Sequence, residues 1–321
     1  MLSLLAVCDD KIENRLNSER IKNGQIIKTP NTANKYKLLR TALSNFVRDK
    51  YGRKLESYYF TDITSQFIED FVFHRKKRAA EKGNSGNVST ILCCLYGICK
   101  HAEQLNVPNV DMSAFETTRI HSRAKKFEPK TIPRDVMSKI ENFDRGLLNQ
   151  AEKFYLDLFL FSYYAGGMGG KDVAYLTWSC IDKDGYLDYE RIKTEKRARI
   201  KLNPKAKEII DRYRSKCYDN YILPIFTDKH QTDKQRTWRL NEAGKAVSAV
   251  LTKICTVIKY KENITWYSAR GTFISTMIAA GLNPSVVAGM AGNSPQTIYK
   301  HYFKNIDQKE TDHAVAQALG C

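Results

Sequence analysis

A chain of 321 residues is long enough for two domains with their own apolar cores, and 42% hydrophobic residues exclude a purely polar, disordered chain. The 52 Lys and Arg against 35 Asp and Glu give a net charge of +17, which points to a polyanionic partner because neutralised phosphates release counterions. Composition alone leaves a ribosome-like or merely soluble basic protein open. The eight cysteines form no C-x-x-C pair near histidines, which speaks against a zinc site or a disulfide frame and for reduced packing residues of a cytoplasmic protein.

The N-terminal MLSLLAVC is apolar, but it lacks a preceding basic region and runs straight into Asp9-Asp10, so it does not read as a signal peptide. Residues 1 to about 117 form an expected helical domain. From Thr32 to Arg48, Tyr36, Leu39, Leu43, Phe46 and Val47 recur at helical spacing. Thr64 can cap a second helix with Phe67, Ile68, Phe71 and Val72 on one face. A third runs from Asn87 to Leu105, with Val88, Ile91, Leu92, Leu95, Ile98, Cys99 and Ala102 as its stripe. All three stripes read as core. Between the second and third helices stands His74-Arg75-Lys76-Lys77-Arg78, which is either a solvated face or a set of phosphate contacts.

From Thr118 to Arg134 the apolar period is lost, and Arg119, Arg123, Lys125, Lys126 and Lys130 accumulate ahead of Pro133. This predicts a basic interdomain linker over 118–132 and a second domain over 133–321. Helices are expected near 133–143, 147–164, 204–216 and 240–258, with helical structure also at Ala174–Trp178. Strands are expected at Trp178–Ile181, Tyr186–Thr194 and Arg197–Leu202. The apolar stretch Phe154–Met168 contains Asp157 and glycines and is too short to span a bilayer. The glycine run Gly166–Gly170 follows a helix, where phosphate-cradling loops follow a strand, so it reads as a tight turn. No G-x-x-x-x-G-K-[ST] occurs.

The rest of the chain is organised around Thr265 to Phe303. A helix from about Ser268 to Ala280 stops at Gly281, and Asn283-Pro284 and Ser294-Pro295 each start another, since Asn or Ser caps and proline has no N–H to lose at the first helical position. Three short helices thus carry Arg270, Asn293 and Tyr302. The stretch resembles the end of the tyrosine recombinases, or phage integrases, whose pattern is H-x-x-R-H-T-F-A-T, then L-G-H, then a nucleophilic tyrosine. Tyr267-Ser-Ala-Arg270-Gly-Thr-Phe-Ile-Ser matches the first part, Ala291-Gly292-Asn293 the second, and Tyr302 stands at the matching distance. Lys193 before Thr194 is similar to the hairpin lysine of the family.

The resemblance implies a mainly α fold with a small antiparallel sheet: an N-terminal helical core-binding domain that clamps DNA, then an α+β catalytic domain. It implies a site-specific recombinase that cleaves and rejoins duplex DNA through a 3′-phosphotyrosine, without ATP or metal, in integration, excision or inversion of a mobile element. Its partners would be double-stranded DNA, three further copies in a tetramer, an accessory DNA-bending factor and no membrane, in a prokaryotic or phage nucleoid setting. Tyr302 would be the nucleophile, with Tyr299 as competitor. Arg270 would stabilise the transition state and Lys193 would protonate the leaving 5′-oxygen. Tyr267 and Asn293 stand where the family has histidines. Gly169 stands where the family has its first arginine, three residues before Asp172. Residues two apart on a strand share a face, so Arg191 is expected to project beside Lys193 and replace that arginine. Arg75, Lys76, Lys77, Arg78, Arg123, Lys125 and Lys126 are the expected DNA contacts, and a final helix over residues 309–321 would dock on a neighbouring subunit. An inactive DNA-binding descendant and a type IB topoisomerase-like enzyme stay open.

Overall fold

A computed structural model describes residues 2–22, 25–28, 31–81, 83, 87–119 and 128–302. The candidate contacts Arg123, Lys125 and Lys126, most of the expected linker and the tail beyond Tyr302 lie outside the described residues. The chain is mostly helical with a small two-stranded antiparallel sheet in its C-terminal part. It divides into two compact units, Met1–Ile21 with Ile26–Phe127, and Glu128–Cys321 with Lys22–Gln25.

The first unit holds α1 (Leu4–Leu16), α2 (Asn31–Tyr51), α3 (Ser65–Glu81) and α4 (Val88–Gln104), with a hairpin of β1 (Glu19–Lys22) and β2 (Gln25–Lys28) after α1. The apolar N-terminal stretch is thus the start of a core helix, capped by Ser3, whose side chain accepts from the Ala6 N–H at 3.2 Å. The expected stripes do form the core. Phe46 sits at its centre, with ring centroids 5.2 Å from Phe67 and 5.3 Å from Phe71. Charge stays at the rim: Arg40 pairs with Asp9, and His101 Nε2 lies 2.5 Å from Asp10. Burial pushes the thiols of Cys8 and Cys99 up to about 12, which keeps them protonated packing groups.

The second unit runs α5 (Arg134–Glu141), α6 (Gln150–Tyr164), α7 (Gly170–Ala174), β3 (Tyr186–Glu190), β4 (Arg197–Lys201), α8 (Pro204–Tyr213), α9 (Asp233–Val257), α10 (Ser268–Ala279), α11 (Pro284–Ala291) and α12 (Pro295–His301). Helix α6 is the central element, packed against α8, α9 and α10. Its start is a capping box in which Asn149 and Glu152 satisfy each other's backbone N–H at 2.9 Å. Among the described residues no helix is long and apolar enough to cross a membrane.

Three local expectations need correction. Residues Trp178–Cys180 form a 3₁₀ turn, held by isolated bridges from Thr177 to Tyr221 and from Ile181 to Leu187, where a strand was expected. Helix α7 ends at Ala174, so Tyr175–Thr177 is not helical. The strand expected over 186–194 stops at Glu190, where the chain enters a turn: the Glu195 N–H donates to the Arg191 carbonyl at 3.0 Å and Glu195 adopts φ +57 before β4 begins. Register runs from Tyr186 opposite Lys201 to Glu190 opposite Arg197. Leu187, Tyr189, Ala198 and Ile200 form the buried face.

Candidate functional site

The chain terminus of the described region is built as three capped helices in succession. Helix α10 ends ahead of Gly281 at φ +81. Asn283 caps α11 by accepting from the Ser285 N–H at 2.8 Å, with Pro284 at the first helical position. Ser294 caps α12 by accepting from the Thr297 N–H at 3.3 Å. These caps fix where Arg270, Asn293 and Tyr302 emerge.

Arg270, near the start of α10, is only 2% exposed, yet among the described residues its guanidinium makes one hydrogen bond, from Nη1 to the Gly167 carbonyl at 3.2 Å. Its Nη2 is buried with no acceptor among the described residues. The turn after α6 brings that carbonyl into place. Gly167 adopts φ +66, and a Cβ there would lie 2.8 Å from the Arg270 Cα, so the close approach needs glycine. Ser162 holds the same turn through the Met168 carbonyl, and Trp266 Nε1 donates to Ser162 Oγ at 3.0 Å. The glycine run is therefore the seat of Arg270, and it carries no arginine of its own.

A second guanidinium reaches the same place. Arg191 is 5% exposed, donates from Nη1 to the Gly292 carbonyl at 2.8 Å, and sets its Nε 3.6 Å from Asp172 Oδ2, an ion pair beyond hydrogen-bond distance. Asp172 Oδ1 accepts from the Ile192 N–H at 2.8 Å, which anchors the residue after Arg191. Gly292 sits at φ +58, and a Cβ there would fall 2.5 Å from Arg191 Cδ. Burial raises the Asp172 carboxyl above its ordinary value, opposed by the Ile192 N–H, Arg191 and Arg270. Burial also lowers Arg270, and the Arg191 charge lowers it further, as expected of two guanidinia in one small pocket.

Tyr302 closes α12, its N–H donating to the Ile298 carbonyl at 2.9 Å. The phenol is held above its ordinary value by burial, while the charges of Arg270 and then Arg191 pull it down, so both guanidinia act on it. Arg270, Arg191 and Tyr302 are thus brought together from α10, the end of β3 and the end of α12. Tyr267 stands at the rim, 52% exposed, and acts electrostatically on both Arg270 and Tyr302. Asn293 is partly buried, with its Oδ1 accepting from the Ser294 N–H at 3.0 Å. That leaves its amide N–H₂ as the available donor. Tyr299 is 49% exposed and one turn from Tyr302.

Lys193 is placed differently from Arg191. It stands exposed in the turn after β3 and makes no ion pair or hydrogen bond among the described residues. The two do not share a strand face, because the strand ends before either of them. In the first unit the basic run lies on α3, where Lys76 and Lys77 are exposed while Arg78 sits 3.5 Å and His74 3.2 Å from Asp49. Two of the five residues of that run thus share one carboxylate of the protein.

Two residues of this site had no motif to announce them: Gly167 and Tyr189. The Leu187, Tyr189, Arg191 alternation was the available sign, since a period of two puts all three on one inward face. Among the described residues no cluster of His, Cys, Asp and Glu is arranged to hold a metal.

Comparison with known proteins follows this geometry. The phage integrase family profile matches residues 130–309. No protein of curated function matches the sequence. Among solved structures, the integrase of the Tn1549 transposon in complex with transposon right end DNA aligns with TM-score 0.68 and 14% identity over 99% of this chain and 100% of that one. The same integrase in complex with a circular intermediate DNA aligns with TM-score 0.66 and 14% identity, over 98% and 99%. A lambda integrase dimer bound to a COC′ core site aligns with TM-score 0.62 and 14% identity, over 95% and 99%.

Proposed function

Because this chain belongs to the phage integrase family, the tyrosine recombinases, we propose that it is a site-specific recombinase that cleaves and rejoins duplex DNA through a 3′-phosphotyrosyl intermediate during integration, excision or inversion of a mobile element. The observation that carries this reading is the meeting of Tyr302 with two buried guanidinia, Arg270 and Arg191, each with a polar atom still unpartnered. Such a cluster costs free energy in a free protein and is repaid by an anion with several oxygens.

In this mechanism the Tyr302 oxygen attacks a DNA phosphate as its phenol proton is lost, and the bond to the 5′-oxygen breaks. Arg270 and Arg191 hold the non-bridging oxygens as charge builds on the five-coordinate phosphorus. Asn293 donates its side-chain amide to a third contact. Lys193, exposed on the turn after β3, reaches in to protonate the departing 5′-oxygen. Phosphodiester energy is kept in the tyrosyl ester, so rejoining to a new 5′-hydroxyl needs no nucleotide. Arg191 supplies from the end of β3 the cation that Gly169 lacks. The domain over 1–117 and the basic linker over 118–132 clamp the duplex, with Lys76 and Lys77 as phosphate contacts, and four copies with an accessory DNA-bending factor form the synapse.

Gly169 at the position of the family arginine favours one second reading, a recombinase descendant that binds DNA without cutting it. The test is covalent trapping. A duplex selected by binding from a random-sequence pool is nicked near the cut so that the freed strand diffuses away, then resolved on a denaturing gel. A shifted band lost with Tyr302→Phe and kept with Tyr299→Phe is expected. Binding without an adduct gives the second reading, and relaxation of any supercoiled plasmid without a preferred site gives a topoisomerase.

A further inference from the structure

In the second unit, the buried side-chain polar atoms without a hydrogen-bond partner among the described residues are three: Arg191 Nε, Arg270 Nη2 and Tyr189 Oη. The first two belong to the phosphate-binding pair. Tyr189 does not, because it faces the site from the interior: it is 3% exposed and lies on β3 opposite Ala198, two residues before Arg191 on the same inward face. An unpaired buried hydroxyl carries a desolvation cost that a phenylalanine of the same shape would not. A tyrosine at such a place is retained for what its oxygen does.

The neighbours of the Tyr189 hydroxyl say what that is. Besides burial, the groups acting on it are the Asp172 carboxylate, the Arg270 and Arg191 guanidinia and the Cys180 thiol. Asp172 has one oxygen on the Ile192 N–H and the other, at 3.6 Å from Arg191 Nε, short of a hydrogen bond. A phenol can accept from a guanidinium and donate to a carboxylate at once.

Resting on the functional reading above, we propose that Tyr189 is a positioning residue of this site: when an anion draws in the two guanidinia, its hydroxyl accepts from Arg270 Nη2 and donates to Asp172, fixing the plane in which Arg270 meets the phosphate. Arg270 then has protein partners on both inner nitrogens, Gly167 on one and Tyr189 on the other, and its outer edge is left for substrate. The three unpartnered atoms are the open form of a network that closes on the anion.

The test is Tyr189→Phe in the full-length protein. Single-turnover adduct formation on the nicked duplex falls about tenfold or more, while duplex affinity is unchanged and Tm stays level or rises. Combined with Arg191→Lys, the loss is smaller than the product of the two single losses, because both act on one network. Sodium tungstate, a tetrahedral oxyanion, raises the Tm of the wild type, and Tyr189→Phe weakens that response. A Tyr189→Phe protein that cleaves at the wild-type rate and keeps the full tungstate response overturns the inference. If the wild type forms no adduct on any bound duplex, the recombinase reading fails on its own. The tungstate response of Tyr189→Phe then still decides the role of Tyr189.

Discussion

Two buried carboxylates in the second unit make opposite use of the same chemistry. Asp157, in the middle of α6 and 0% exposed, is fully engaged: Arg212 Nη1 donates to it at 2.7 Å, the Tyr213 hydroxyl at 2.8 Å and Arg145 Nη1 at 3.2 Å. Asp172, at 6% exposed, has one backbone N–H at 2.8 Å and a guanidinium held off at 3.6 Å. The first cluster is closed, and its cations reach solvent. The second is open, and its cations are buried with atoms to spare. A closed cluster joins α6 to α8 and stabilises the fold, whereas an open one is poised for a ligand with oxygens to offer.

The contrast is sharpest if each cluster is broken in turn. Arg270→Ala is expected to lower adduct formation by about 10²–10³ while leaving the fold intact, since among the described residues the lost side chain made a single hydrogen bond. Stopped single-turnover cleavage and a thermal melt on the same sample check both halves. A melt lowered as much as by disrupting Asp157 would make Arg270 a structural residue and end the comparison.

Asp157→Ala is expected to do the reverse. It leaves the buried Tyr213 hydroxyl without its acceptor and unpairs Arg145 and Arg212, which reach solvent, so about 1–3 kcal/mol of stability is expected to be lost. Urea unfolding measures this. The fraction that stays folded should cleave at the wild-type rate.

Gly292→Ala lies between the two. The residue must keep φ +58, and its Cβ would press on Arg191 Cδ at 2.5 Å, so both backbone and guanidinium are disturbed. About 1–2 kcal/mol of stability and about a tenfold loss of cleavage are expected, because the strain and the misplaced donor fall on the same residue. Stability loss with full activity would show that Arg191 does not act on the phosphate.

The smallest expected effect is at high pH. Burial holds the phenols of Tyr164, Tyr189, Tyr213 and Tyr302 above their ordinary value and pushes Tyr175 up to about 12. A group raised on folding gives its full stabilisation below its unfolded value of about 10, and that stabilisation is lost as pH rises through the folded value. Unfolding free energy should therefore be level near neutrality, begin to fall above about pH 8.5, where the thiols of Cys8 and Cys99 ionise only in the unfolded chain, and fall more steeply beyond about pH 10. Tyr213→Phe should lower the plateau by about 1 kcal/mol and make the alkaline fall shallower, because one buried phenol that must ionise is gone.

Much of this molecule is legible in its sequence because the signals are local. The apolar stripe of α4, the Asn283-Pro284 and Ser294-Pro295 helix starts and the glycine after α10 each act within a few residues, so reading them needs no partner. The order and spacing of Arg270, Asn293 and Tyr302 carried the family for the same reason. Where the hairpin turns, local reading failed: alternation continued past Glu190 on paper, but the Arg191 carbonyl accepts from the Glu195 N–H at 3.0 Å and closes a turn before β4.

The sequence by itself thus determined where helices start and stop, which faces are apolar, and which residue types were on hand for phosphate chemistry. Only the tertiary structure decided which of the charges converge. Arg191 meets Gly292 across 101 positions and Arg270 meets Gly167 across 103, contacts that leave no periodic or capping trace in the chain. Such contacts are set by how α6, the β3–β4 hairpin and α10 to α12 pack together. That packing separates a lysine left in solvent at 193 from an arginine drawn inside at 191.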